Sequence, residues 1–144
     1  MKLRFLLFAL AALAVTTAGL AADSVQARGI LVAASNEKRE SDPRLAPYEP
    51  TLRRMLAFES YRQAGSGGGR TEVPGETTIS IGQGHRIVLS VESVKGDQIR
   101  ARVSWLDGGK THMNTVLGLK RGVPAVLGGV KSGNEVLAVI LIVS

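Results

Sequence analysis

The sequence predicts an α+β fold that is mostly β. An N-terminal strand and one helix precede an antiparallel meander, packed as a small sandwich or half-open barrel. Three observations carry this. In His85–Glu92, Ile87, Leu89 and Val91 share one parity. In Gln98–Trp105, Ile99, Ala101, Val103 and Trp105 alternate with Arg100, Arg102 and Ser104. Such alternation marks a half-buried strand, because successive side chains point to opposite faces. Helical spacing with a start signal occurs in one place, after Asp42-Pro43.

Phe5–Val15 is an apolar run behind Lys2 and Arg4, and small residues follow it as far as Ala22. A charged start, apolar middle and small-residue exit predict a secretory signal over residues 1–27, cleaved after Ala22 or Ala27. The competing expectation is an uncleaved anchor, since Phe5–Ala22 approaches spanning length. Cleavage suits the short apolar region better, and leaves no membrane span. The predicted destination is the periplasm or the cell exterior.

Residues 28–144 then form a single β-rich domain. The whole chain of 144 residues carries a net charge of +6, and the part from Arg28 on about +5. There is no Cys. That excludes a disulfide scaffold, a thiol nucleophile, thiolate metal sites and a lipid anchor on Cys. The core must hold the domain, and 44% hydrophobic residues can build one.

In chain order, Gly29–Ala34 is a continuous apolar run, predicted as a buried strand. Asp42-Pro43 reads as N-cap and first helical residue, with Leu45, Tyr48, Leu52 and Met55 or Leu56 following at helical spacing. Pro47 and Pro50 disturb this pattern. The helix therefore starts irregularly near Pro43 or properly at Pro50, with Arg53 and Arg54 near its C-terminal end. Phe58–Gln63 is a predicted strand, residues 65–70 a flexible Gly-rich loop, and Thr77–Ile81 a short strand. The Gly-rich stretch lacks the Gly-Lys-Ser/Thr ending of a phosphate-binding loop.

Parity sets the predicted hairpins. For both apolar sets to face one core, each connection must add an odd number of residues. Three-residue loops satisfy this: Val94-Lys95-Gly96 with Gly96 left-handed, and Asp107-Gly108-Gly109 with Gly109 left-handed. Trp105 then opposes Thr111, Val103 opposes Met113, and Ile99 opposes Leu117. A two-residue Gly108-Gly109 loop would oppose Trp105 to His112 and spoil the apolar face. Val123–Val130, with Pro124 and Gly128-Gly129, reads as an edge or bulged strand. Val136–Val143 is apolar on both parities, as expected of a central strand buried on both faces. Completion of a partner's sheet is the sharper alternative.

Chemical signals are sparse. His85 at a strand entrance and His112, facing outward across from Ser104, are read as surface residues. No metal and no cofactor is expected, since no His-x-His or His-Glu-x-x-His is present. Ser35-Asn36-Glu37-Lys38, Ser41-Asp42-Pro43 and Lys110-Thr111-His112 imitate the motifs of penicillin-recognising enzymes. Two of the three are incomplete, and the chain is too short for that fold. The carboxylates Glu59, Glu72, Glu76, Glu92 and Asp107 fall mostly in predicted turns, and nothing marks a catalytic pair.

The one constellation is basic. Arg86, Arg100, Arg102, His112 and Asn114 are predicted on the solvent face of one sheet, with Ser90 and Ser104 between them. That set suits an acidic envelope polymer, a lipid head group or an acidic protein patch. A plainer reading is a solvated sheet face. Nucleic acid is disfavoured, because only 4% of residues are aromatic and the chain carries an export signal.

Ile30–Ser35, Asp42–Tyr48, Leu52-Arg53-Arg54 and Phe58–Arg62 give the chain a resemblance to short exported bacterial proteins of a β-rich type. The likeness spans roughly Gly29 to the C-terminus and carries over no catalytic residue. The resemblance implies a non-enzymatic envelope protein. The functional expectation is therefore an exported protein that binds a protein partner or anionic polymer, as an accessory of a secretion or surface assembly. The alternative is a small hydrolase acting on cell-wall or extracellular polymer.

Overall fold

A computed structural model describes residues 23–144. The expected signal segment up to Ala22 lies outside the described residues. The elements are β1 (Ser24–Ser35), a 3-10 helix (Pro43–Tyr48), α1 (Glu49–Met55), β2 (Ser60–Glu72), β3 (Gly75–Gly82), β4 (His85–Lys95), β5 (Gln98–Asp107), β6 (Lys110–Lys120), β7 (Ala125–Ser132) and β8 (Glu135–Val143). They build two four-stranded antiparallel sheets, ordered β2-β1-β8-β7 and β3-β4-β5-β6. The fold is thus mostly β, with an N-terminal strand, one short helix and a meander, and it does not close into a barrel. Seven strands follow the helix, and only β3–β6 form the meander. β7 and β8 return to the first sheet beside β1.

The core lies between the sheets. Ile87, Leu89, Val91, Ile99, Ala101, Val103 and Trp105 meet Leu137, Val139, Leu141 and Val143 there. β8 lies between β1 and β7, as its double apolar parity predicts. Its other face, Ile140 and Ile142, packs with Ile30, Val32 and Ala34 under Leu45, Leu52 and Tyr61. The short helical segment is therefore the cover of the first sheet's outer face. Leu45 and Leu52 are buried, and each such burial contributes about 1.5–3 kcal/mol. Both expected helix starts occur. Asp42 caps the 3-10 helix through the Arg44 amide, and Pro50 sits in the first turn of α1.

The expected flexible loop at 65–70 is instead part of β2. The reason is tertiary. A Cβ on Gly65 would overlap the Ile81 carbonyl oxygen, and one on Gly67 the Ser80 carbonyl oxygen. A Cβ on Gly69 would lie 2.6 Å from Thr77 Oγ1. The glycines let the β2 backbone pass directly over β3, where the two sheets meet.

Both meander hairpins differ from the predicted register. Lys95 pairs with Gln98 and Asp107 with Lys110, so the loops are the two-residue Gly96-Asp97 and Gly108-Gly109. Positive φ falls on Gly96 (63°) and Gly108 (56°), and not on Gly109. A glycine with positive φ at the first central position is the type II′ pattern. The odd residue demanded by parity is supplied inside the strands, as bulges at Glu92 and at His112. Ile87 opposes Trp105, Leu89 opposes Val103 and Val91 opposes Ala101. Across β5–β6, Trp105 opposes Met113 and Ile99 opposes Leu119. The apolar face survives, because a bulge and an odd loop shift parity equally.

Candidate functional site

The outer face of the β3–β6 sheet carries the predicted basic set, with one departure. Arg86, Arg100, Arg102 and Asn114 are exposed there. Arg102 lies opposite Ser90, and Asn114 opposite Ser104. Arg102 Nη1 donates to Asn114 Oδ1 at 3.1 Å. Arg100 Nε donates to Glu92 Oε2 at 3.2 Å, so the bulge residue of β4 neutralises part of this face. Arg86 forms no ion pair among the described residues. Val88, Leu106 and Val116 lie half-buried between the polar residues. The alternate residues of β4 and β5 belong to the core between the sheets, so this face is turned away from the second sheet.

His112 departs from the expectation. It is the bulge residue of β6, and the bulge swings it off the outer face. Its side chain is only 10% exposed. His85 also differs from its surface reading, with 7% of its side chain exposed. The two imidazoles meet at the end of the sheet where the turns 83–84 and 108–109 come together. The Gly108 amide donates to the Gly84 carbonyl oxygen at 3.4 Å across that junction.

Four side chains define the cluster. Trp105 Nε1 donates to His85 Nδ1 at 3.1 Å. His85 Nε2 lies 3.8 Å from Asp107 Oδ2, and His112 Nε2 lies 3.5 Å from the same oxygen. The His85 and His112 rings stack 6.1 Å apart at 22°, and Trp105 meets His112 edge-on at 5.4 Å. His112 Nε2 is buried without a hydrogen-bond partner. The pairing places His85 directly opposite Asp107. The bulge alone brings His112 to them, and no residue spacing in the sequence signals that bulge.

A hollow of about 300 Å³ lies at the other sheet, lined by Ser35, Arg39, Asp42, Ser60 and Arg62 among others. No histidine lines it. Ser35 Oγ accepts from the Glu37 amide, and Ser60 Oγ donates to the Glu37 carbonyl oxygen. With both hydroxyls bonded to local backbone and no histidine in the lining, a Ser-His-acid arrangement is not assembled here.

Comparison with known proteins adds no relative: no family model, no curated protein and no solved structure matches the chain.

Proposed function

We propose that this is an exported, non-catalytic protein that binds an anionic partner through the outer face of its β3–β6 sheet. The observation that carries the reading is the outer face itself, with Arg86, Arg100 and Arg102 exposed on strands whose opposite side is core. Guanidinium groups on a rigid sheet present planar donors that suit carboxylate or phosphate. The half-buried Val88, Leu106 and Val116 add apolar contact between them. Export rests on the composition of the N-terminal segment, and places the partner in the envelope: an acidic surface polymer or the acidic patch of an envelope protein. A role as accessory to a secretion or surface assembly fits a small domain of this kind.

Crosslinking in cells, followed by mass spectrometry of the joined species, tests this. A reproducible envelope partner that disappears on Arg100→Glu with Arg102→Glu supports the reading. Recovery of only the free protein, or a partner unaffected by the two substitutions, contradicts it.

A further inference from the structure

We propose that His85, Asp107 and His112 form a binding site for a divalent transition-metal ion of the zinc type. Their ligand atoms all lie within 4.8 Å of one another. The separations to Asp107 Oδ2, 3.5 and 3.8 Å, are too long for hydrogen bonds. They are close to the spacing of ligands around an ion. Atoms bound at about 2.0–2.1 Å in a tetrahedron stand about 3.3–3.4 Å apart.

An independent observation points the same way. His112 Nε2 is buried, has no partner, and is directed at the Asp107 carboxylate. Buried polar atoms are nearly always satisfied, so one facing two further donors calls for an occupant. The residues that surround it are held firmly. His85 and Asp107 are paired across β4 and β5, and His112 is fixed by a bulge, a device found beside functional sites. Asp107 is 43% exposed, which gives an ion a route in and leaves a coordination position for water. Two imidazoles and one carboxylate suit zinc, cobalt, nickel or copper ions. Magnesium and calcium prefer all-oxygen sites.

Trp105 makes occupancy visible. Its N–H bonds to His85 Nδ1, which puts the proton of the neutral ring on Nε2, the nitrogen facing Asp107. Ligation through Nε2 removes that proton. If the neutral ring then carries its proton on Nδ1, two donors face each other and the indole hydrogen bond opens. Trp105 is the only tryptophan in the chain, so its fluorescence reports the event without a label.

The test is a titration of the full chain, stripped with chelator, with zinc chloride, followed by Trp105 fluorescence and calorimetry. Cobalt chloride serves as an absorption probe of coordination. The expected result is saturation at one ion per chain with a change in indole emission. Asp107→Asn and His112→Ala should each weaken binding by more than about tenfold, since ligands matter at least as much as the groups that orient them. Asp107 is partly exposed, so its variant keeps the test interpretable if the His112 variant fails to fold. The proposal is overturned if binding does not saturate, or if Asp107→Asn binds as tightly as the parent chain.

Discussion

The indole Nε1 of Trp105 donates a hydrogen bond to Nδ1 of His85 at 3.1 Å, with both residues buried. Neither group has another use for its polar atom at that contact. Replacing His85 by Leu would leave the indole N–H unpaired in the core, a loss of about 1–3 kcal/mol. Urea unfolding of His85→Leu, Trp105→Phe and the double variant measures it. The double variant should lose less than the sum of the singles, because the second change removes a group already orphaned. Strict additivity would show that the bond contributes nothing.

The glycines of β2 give a sharper contrast. Gly65 and Gly67 face carbonyl oxygens of Ile81 and Ser80, whereas a Cβ on Gly68 would sit 3.4 Å from the Ala27 oxygen, close to ordinary contact. Gly65→Ala and Gly67→Ala should each cost at least about 1–3 kcal/mol, the range for forcing extra atoms into packed sites. Gly68→Ala should melt near the parent temperature. Thermal denaturation of the three single variants compares them directly.

Acid should act on the 3-10 cap. The Arg44 guanidinium, with the Arg44 amide, holds the Asp42 carboxyl far below the usual carboxylate range. A depressed folded value means the stabilisation is complete above the ordinary carboxylate pKa of about 3.9. It fades as pH falls through the folded value. Asp42→Asn keeps an oxygen for the cap and loses the charge. The stability gap between parent and variant, read from unfolding at a series of pH values, should be constant near neutrality and close in strong acid. A gap that persists unchanged in acid would contradict this origin.

The two cleavage expectations differ in their consequences. Ser24–Ala27 pair with Gly69–Glu72 of β2, and Val25 is fully buried. Gln26 also exchanges backbone hydrogen bonds with Ser144 at 3.0 and 2.8 Å. Cleavage after Ala27 would remove this third of β1. If the N-terminal segment is cleaved as expected, the product should therefore begin at Asp23, which N-terminal sequencing reads directly. A chain starting at Arg28 should melt well below one starting at Asp23, since the Val25 burial alone contributes about 1.5–3 kcal/mol.

Alternation was legible because it is local. It named the residues of β4 and β5 that reach the core, and the double parity of β8. The position of the odd residue was not legible, because a three-residue loop and a two-residue loop with a bulge preserve the same face. That difference hid the His cluster: with the extra residue in the turn, His112 points to solvent, and with it in β6, His112 turns towards His85 and Asp107. The glycines at 65–70 misled for a related reason. Composition alone reads them as flexible, and only the passage of β2 over β3 explains them. Arg86, Arg100, Arg102 and Asn114 were readable from parity because each lies in a stretch of its own strand that alternates without interruption, the bulges falling outside those stretches at Glu92 and His112.

The basic sheet face is tested most directly by binding to an immobilised polyanion such as heparin over a range of salt. Two charge-matched variants are compared: Arg86, Arg100 and Arg102 all changed to Glu, and the exposed Arg28, Arg39 and Arg54 all changed to Glu. If the face is the binding surface, the first variant elutes at much lower salt and with a shallower salt dependence, while the second stays close to the parent chain. Equal losses in both would mean that net charge alone holds the polymer, and would contradict a dedicated surface on the β3–β6 sheet.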